Sequence, residues 1–133
     1  MYILSENKSL KELSQILGFE NVQTDANIER IIFDSKIAKE GDLFIPLKGN
    51  NHNAEVFVEE VLQKGASVIT KQKIFGNTIV VDDVYNSLLD ICANKLFESK
   101  AKVIFITGSY GKTTLKDIFI FKPSSIYKII FIL

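Results

Sequence analysis

Apolar residues recur along this chain with two different periods, and the switches between them mark out its elements. Leu10, Leu13, Ile16 and Leu17 fall at helical spacing behind Ser9-Leu10-Lys11-Glu12. That tetrapeptide has the Ser…Glu form of a capping box, and Gly18 supplies a stop, so a short helix is predicted there. Residues 28–33 read as a strand, and 42–47 as a second one after a Glu40-Gly41 turn. Asn53 is predicted to cap a helix through Gln63 that buries Phe57, Val58, Val61 and Leu62, with Gly65 just past its end. Two short strands follow, 67–70 and 78–81. Asp83 then caps a helix to about Phe97, with Val84, Leu88, Ile91, Cys92 and Leu96 at helical spacing. A further strand covers 103–107. Strands alternating with helices predict an α/β layer architecture, and no internal repeat is visible.

Composition narrows the class. The chain has 133 residues, enough for one domain or one domain and a fragment, and at 47% hydrophobic it can bury a core. Basic and acidic residues balance at 16 each, so no net field draws nucleic acid or an anionic membrane. One cysteine, Cys92, rules out an internal disulfide or a cysteine-based metal site; its place on an apolar helix face predicts a buried thiol. The first eight residues lack the basic start and apolar core of a signal peptide, and no run is long enough for a membrane span. A cytoplasmic enzyme or enzyme fragment is expected, with no nucleic-acid or membrane partner; no oligomer is indicated.

The chemistry concentrates at Thr107-Gly108-Ser109-Tyr110-Gly111-Lys112-Thr113-Thr114. An apolar strand breaks here into a glycine loop, and Lys-Thr-Thr should open a helix. Gly108 and Gly111 allow a tight turn that brings backbone N–H groups against an anion, and a helix N-terminus adds its positive end. Lys112 can reach the β- and γ-phosphates of a nucleotide, and the Thr113 hydroxyl can ligate Mg²⁺. The full G-x-x-x-x-G-K-[ST] pattern is not met, because its first glycine falls on Ile106. A glycine-rich β–α turn with a solvated lysine is the plainer alternative. Other polar residues have plain readings as well. Asp34-Ser35 can be a strand-ending turn, Asp82-Asp83 a strand end followed by a helix cap, 71–73 a solvated turn, and the lone His52 a solvated loop residue.

The final segment is unlike the rest. From Ile118 onward the chain is almost wholly Ile, Phe, Lys, Ser, Tyr and Leu. That alphabet is what out-of-frame reading of AT-rich DNA gives, so a frameshift or premature stop in a longer gene is expected. Residues 126–133 either add one parallel strand beside 103–107 or form an exposed aggregation-prone run.

Three segments together resemble the Mur ligase family, the ATP-dependent amide ligases of peptidoglycan synthesis. Asp34-Ser35-Lys36 followed by Gly41-Asp42-Leu43-Phe44-Ile45-Pro46-Leu47-Lys48-Gly49 is similar to the family's D-S-R…G-D-L-F-x-A-L-x-G signature. Phe57 followed by Gly65-Ala66 is similar to its helix ending in Gly-Ala. Thr107 to Lys116 resembles its T-G-S-x-G-K-T-T-x-K loop, in a form leaning toward the member that adds D-alanyl-D-alanine. Lys36 stands where the family has arginine, Pro46 where it has alanine, and Asn51-His52-Asn53 where it has an Asp-Gly-His segment.

The resemblance implies an architecture: a small N-terminal α/β domain over residues 1–100 that recognises the UDP-sugar substrate, then over 101–133 the first β–P-loop–α unit of an ATP-binding domain. It also implies the chemistry. ATP would activate the terminal carboxylate of a UDP-N-acetylmuramoyl peptide as an acyl phosphate, and the amine of D-alanyl-D-alanine would displace phosphate to form an amide. Gly108, Ser109, Tyr110, Gly111, Lys112, Thr113 and Thr114 would hold the ATP phosphates, with Thr113 on Mg²⁺. Ser35, Lys36, Gly49, Asn50 and Asn51 would contact the UDP part. The family's later domains are not in this sequence, so the chain by itself is expected not to ligate. An inactive remnant that binds UDP-sugar, or an unrelated P-loop phosphotransferase, are the alternatives.

Overall fold

The computed structural model describes residues 2–19, 22–48, 53–98, 102–106 and 127–131, the last two segments and residues 2–6 as backbone. The chain divides into two compact units, Met1–Asn94 and Lys95–Leu133.

The first unit is built on a five-stranded sheet in sequence order. Strand β1, Tyr2–Ser9, is antiparallel to β2, Asn27–Ile32. Strands β3 (Asp42–Phe44), β4 (Ser67–Thr70) and β5 (Thr78–Val80) then add in parallel. Between β1 and β2 lies helix α1, Leu10–Ile16. Its capping box forms as expected: Glu12 N donates to Ser9 Oγ (3.2 Å), and Ser9 N donates to Glu12 Oε2 (2.7 Å). Gly18 ends it at φ +76°, a left-handed conformation that only glycine takes without strain. Helix α2, Val58–Gln63, connects β3 to β4, and helix α3, Val84–Glu98, follows β5.

Both sheet faces are covered, and the strands show why. Neighbouring residues point to opposite sides. Ile31, Leu43, Ile69 and Ile79 join Leu10 and Leu13 of α1 and Val84 and Ile91 of α3 in one core. Ile32, Phe44 and Val68 join Val58 and Val61 of α2 in the other. Burial on both faces makes these strands read as continuous apolar runs rather than alternating ones.

Two parallel connections are unusually short. Residues 33–41 carry the chain from β2 to β3, and 71–77 from β4 to β5. A crossover normally takes about a dozen residues or more. Here β5 has only 3 residues, so the chain retraces roughly 10 Å, which a few extended residues span.

Several expectations change. Strand β1 was not expected at all. The strand predicted over 42–47 pairs only through Phe44; Ile45 N still donates to Ile32 O (3.0 Å), and Pro46 has no N–H to continue the ladder. The helix expected from Asn53 begins instead as a 3₁₀ turn, Ala54–Phe57. That tighter winding, about 120° per residue, rotates Phe57 off the buried face and leaves it 43% exposed. Cys92 is exposed, not buried. At about 100° per residue Val84, Ser87 and Ile91 share one side of α3, and Cys92, one position beyond Ile91, turns away.

In the second unit, β6 (Lys102–Ile106) pairs in parallel with β7 (Tyr127–Phe131), from Lys102 opposite Tyr127 to Ile106 opposite Phe131. Of the two expectations for the final segment, the parallel strand is the one observed. Among the described residues no helix is long and apolar enough to cross a membrane.

Candidate functional site

Strands β2 to β5 run the same way, so their carboxyl ends share one edge of the sheet. Open parallel sheets bind ligands at that edge, because the loops there can vary without disturbing the ladder. Two sequence candidates lie in the first such loop. Asp34 closes a 3₁₀ turn, Ser35–Ile37, by accepting from Lys36 N (3.0 Å). Ser35 is nearly buried, at 8% exposure, and Lys36 is exposed. The Ser35 carbonyl accepts from Ala38 N (3.3 Å) and from Lys64 Nζ (3.0 Å). Lys64 caps the end of α2 and also pairs with Glu60 Oε1 at 2.7 Å. The turn is thus held down onto α2 by a lysine that the sequence reading passed over. Its i,i+4 pairing with Glu60 is legible from spacing; its reach back to residue 35 is not.

Gly49, Asn50 and Asn51 lie outside the described residues, as does His52. The segment around them is described. An antiparallel bridge joins Lys48 to Asn53, and the Asn53 side chain accepts from Glu55 N (3.2 Å). The base of this loop is therefore fixed, and it leaves from the segment after β3, the strand beside β2. Loops carrying both sets of candidate residues depart from neighbouring strands.

The Gly-Asp-Leu-Phe run, by contrast, is structural. Gly41 turns the chain at φ +84°, and its carbonyl accepts from Glu29 N (2.8 Å). Asp42, 1% exposed, receives Arg30 Nε (2.6 Å) and Nη2 (2.7 Å) as a two-pronged pair, plus Lys39 N (3.0 Å). Arg30 is held above its ordinary pKa, chiefly by this hydrogen bond, over an opposing desolvation. Leu43 and Phe44 enter opposite cores. The pair sits where β3 begins, at the amino edge of the strands. Sequence could show the two charges but not the register that places Arg30 opposite Asp42.

The phosphate-loop candidates Gly108, Ser109, Tyr110, Gly111, Lys112, Thr113 and Thr114 lie outside the described residues, within the segment that joins β6 to β7. Asp83 behaves as expected: its Oδ1 accepts from Asn86 N (2.8 Å) at the start of α3. That bond, aided by Lys71 at 3.7 Å, holds the Asp83 carboxyl below its ordinary pKa despite some desolvation. Among the described residues no group of three His, Cys, Asp or Glu side chains is placed to hold a metal.

No protein-family model matches the chain. Individual proteins do. The UDP-N-acetylmuramoyl-tripeptide–D-alanyl-D-alanine ligase of Rickettsia prowazekii is 37% identical over 112 residues, covering 80% of this chain and 24% of that protein. The UDP-N-acetylmuramoyl-L-alanyl-D-glutamate–2,6-diaminopimelate ligase of Clostridium tetani is 33% identical over 117 residues, covering 79% and 24%. Among solved structures, the UDP-N-acetylmuramoylalanyl-D-glutamyl-2,6-diaminopimelate–D-alanyl-D-alanyl ligase of Acinetobacter baumannii superposes with a TM-score of 0.70 at 33% identity, over 85% of this chain and 27% of that one. The MurF ligase of Thermotoga maritima in complex with ADP superposes with a TM-score of 0.60 at 33% identity, over 67% and 22%. The chain spans about a quarter of the length of the curated relatives it matches.

Proposed function

The chain belongs to the Mur ligase family, and from that premise we propose that it supplies the precursor-recognition part and the ATP phosphate loop of an ATP-dependent amide ligase of peptidoglycan synthesis. The precursor is UDP-N-acetylmuramoyl tripeptide, and the second substrate of the whole ligase is D-alanyl-D-alanine. Residues 1–100 form the recognition domain and 101–133 begin the ATP-binding domain. The reaction is cytoplasmic, since nucleotide-linked precursors and ATP are its substrates.

Ser35 and Lys36 contact the UDP part together with Gly49, Asn50 and Asn51. Lys36 offers an ammonium to the diphosphate as a point charge. In the second unit, Gly108, Ser109, Tyr110 and Gly111 present backbone N–H groups to the β- and γ-phosphates of ATP. Lys112 would add its charge, Thr113 would hold Mg²⁺, and Thr114 would support the loop. The donor set suits that group: an ammonium and a hydroxyl follow strand β6 in the sequence. Bound Mg²⁺ would offset phosphate charge. The chain's own contribution is positioning and charge neutralisation, which dominate phosphoryl chemistry.

One observation carries the reading. The Asp34-Ser35-Lys36 turn and the Lys48–Asn53 loop base leave adjacent parallel strands. Calorimetric titration of the chain with UDP-N-acetylmuramoyl tripeptide, then with Mg-ATP, tests it. Saturable binding of the UDP compound without ATP is expected. Binding of neither compound would leave the motifs as marks of ancestry and end the proposal.

A further inference from the structure

We infer that Lys64 is a positioning residue for the precursor site: its ammonium fixes the Ser35–Ile37 turn in the conformation that meets the UDP part of the precursor. The inference rests on the site reading proposed above and assigns a role to a residue outside every motif of that site.

Ser35 and Lys36 belong to a turn only three residues long. Its internal support is slight: one backbone bond, Ala38 N to Ser35 O at 3.3 Å, and one side-chain bond, Asp34 Oδ1 accepting from Lys36 N at 3.0 Å. Both bonds are local; beyond them Ala38, at the end of the turn, packs in the second core cluster. Two local hydrogen bonds do not by themselves hold the exposed Lys36 side chain to the fraction of an ångström that ligand recognition needs. Lys64 adds a directional long-range tie to that packing. Its Nζ donates to the Ser35 carbonyl at 3.0 Å across 29 positions of sequence. The helix end that carries it is anchored by Val58 and Val61, both buried in the second core cluster.

The ammonium is itself held. Glu60, one turn back on α2, receives it at 2.7 Å. That partner fixes the rotamer of a long, flexible side chain, so less freedom is lost when the ammonium meets Ser35 O. An exposed ion pair contributes little stability by itself. The arrangement therefore acts on the turn's geometry far more than on global folding. A charged donor on the Ser35 carbonyl also polarises the peptide that follows, whose N–H belongs to Lys36 and is already bonded to Asp34. The two restraints reinforce each other on the residue pair that meets the ligand.

The test compares the full chain with Lys64→Met, Lys64→Arg and Glu60→Gln. Titration with UDP-N-acetylmuramoyl tripeptide should weaken about three- to tenfold for Lys64→Met, the range expected for losing a partly exposed charged hydrogen bond. Lys64→Arg should recover most of the affinity, and Glu60→Gln should lose less than Lys64→Met. Melting temperatures should stay within about 2 °C of the unaltered chain, which separates a positioning loss from a folding loss. Amide exchange at Ala38, measured without ligand, should quicken in Lys64→Met and return in Lys64→Arg. Unchanged affinity in Lys64→Met, with the unaltered chain binding normally, would overturn the inference and leave the site reading standing. No binding by the unaltered chain would remove the site reading, and Lys64's role in recognition with it.

Discussion

At the scale of single residues, the most consequential contact in the first unit is a charge pair that touches no proposed ligand. Asp42 is almost wholly buried and is matched by three donors from Arg30 and Lys39. Asp42→Ala removes the acceptor of two Arg30 bonds and of the bond from Lys39 N. Losing the buried carboxylate removes three bonds at once, so urea unfolding should show the midpoint falling with an unchanged slope. Replacing both members together, Arg30→Met with Asp42→Leu, should recover part of that loss, because apolar side chains then fill the space of the pair. Legibility at this scale depended on range. Asp34, Asn53 and Asp83 announce themselves because each caps a backbone N–H two or three positions on. Lys64 does not, because its acceptor is 29 positions away.

At the scale of elements, legibility follows where the hydrogen bonds close. A helix closes its hydrogen bonds within itself, so caps and spacing suffice: Ser9 with Glu12 fixed the start of α1, and Asp83 the start of α3. A strand is completed by a partner elsewhere. β1 went unrecognised because residues 2–9 are mixed in character and pair with β2 through a register that shifts between Ile3 and Lys8. Helix faces were harder than helix ends, since periodicity gives a stripe but packing decides which residues it covers; Cys92 and Phe57 were assigned inward for that reason. The cap of α3 carries a pH prediction. Asp83 has a lowered pKa in the folded chain, first through the bond from Asn86 N. Its contribution is therefore fully present above the ordinary value of 3.8 and is lost as pH falls through the lower folded value. Thermal melts of the unaltered chain and of Asp83→Asn should differ at neutral pH and converge in acid. A constant difference across that range would show that the carboxylate's charge plays no part.

At the scale of the whole molecule, both core clusters lie in residues 10–91. The described part of the second unit is the last turn of α3 and one pair of parallel strands, and neither core cluster draws a residue from it. A chain ending at residue 98 should therefore keep a cooperative melt and, on the proposed reading, its affinity for UDP-N-acetylmuramoyl tripeptide. Loss of the melt would place essential packing beyond α3. The broad architecture was open to sequence reading because strand and helix patterns alternate. The recognition site was readable only in part: motif residues 35 and 36 could be named, whereas the neighbouring strands and the lysine that organise them are products of the fold.

The bridge between Lys48 and Asn53 has an evolutionary consequence. It ties the loop at its neck, joining the backbone on either side. Closing a longer loop costs only about 0.6 kcal/mol for each doubling of length. A change of length between those two residues is thus absorbed within the loop at little cost to the scaffold that presents it. Diversification of nucleotide-sugar recognition could proceed there without renegotiating the fold.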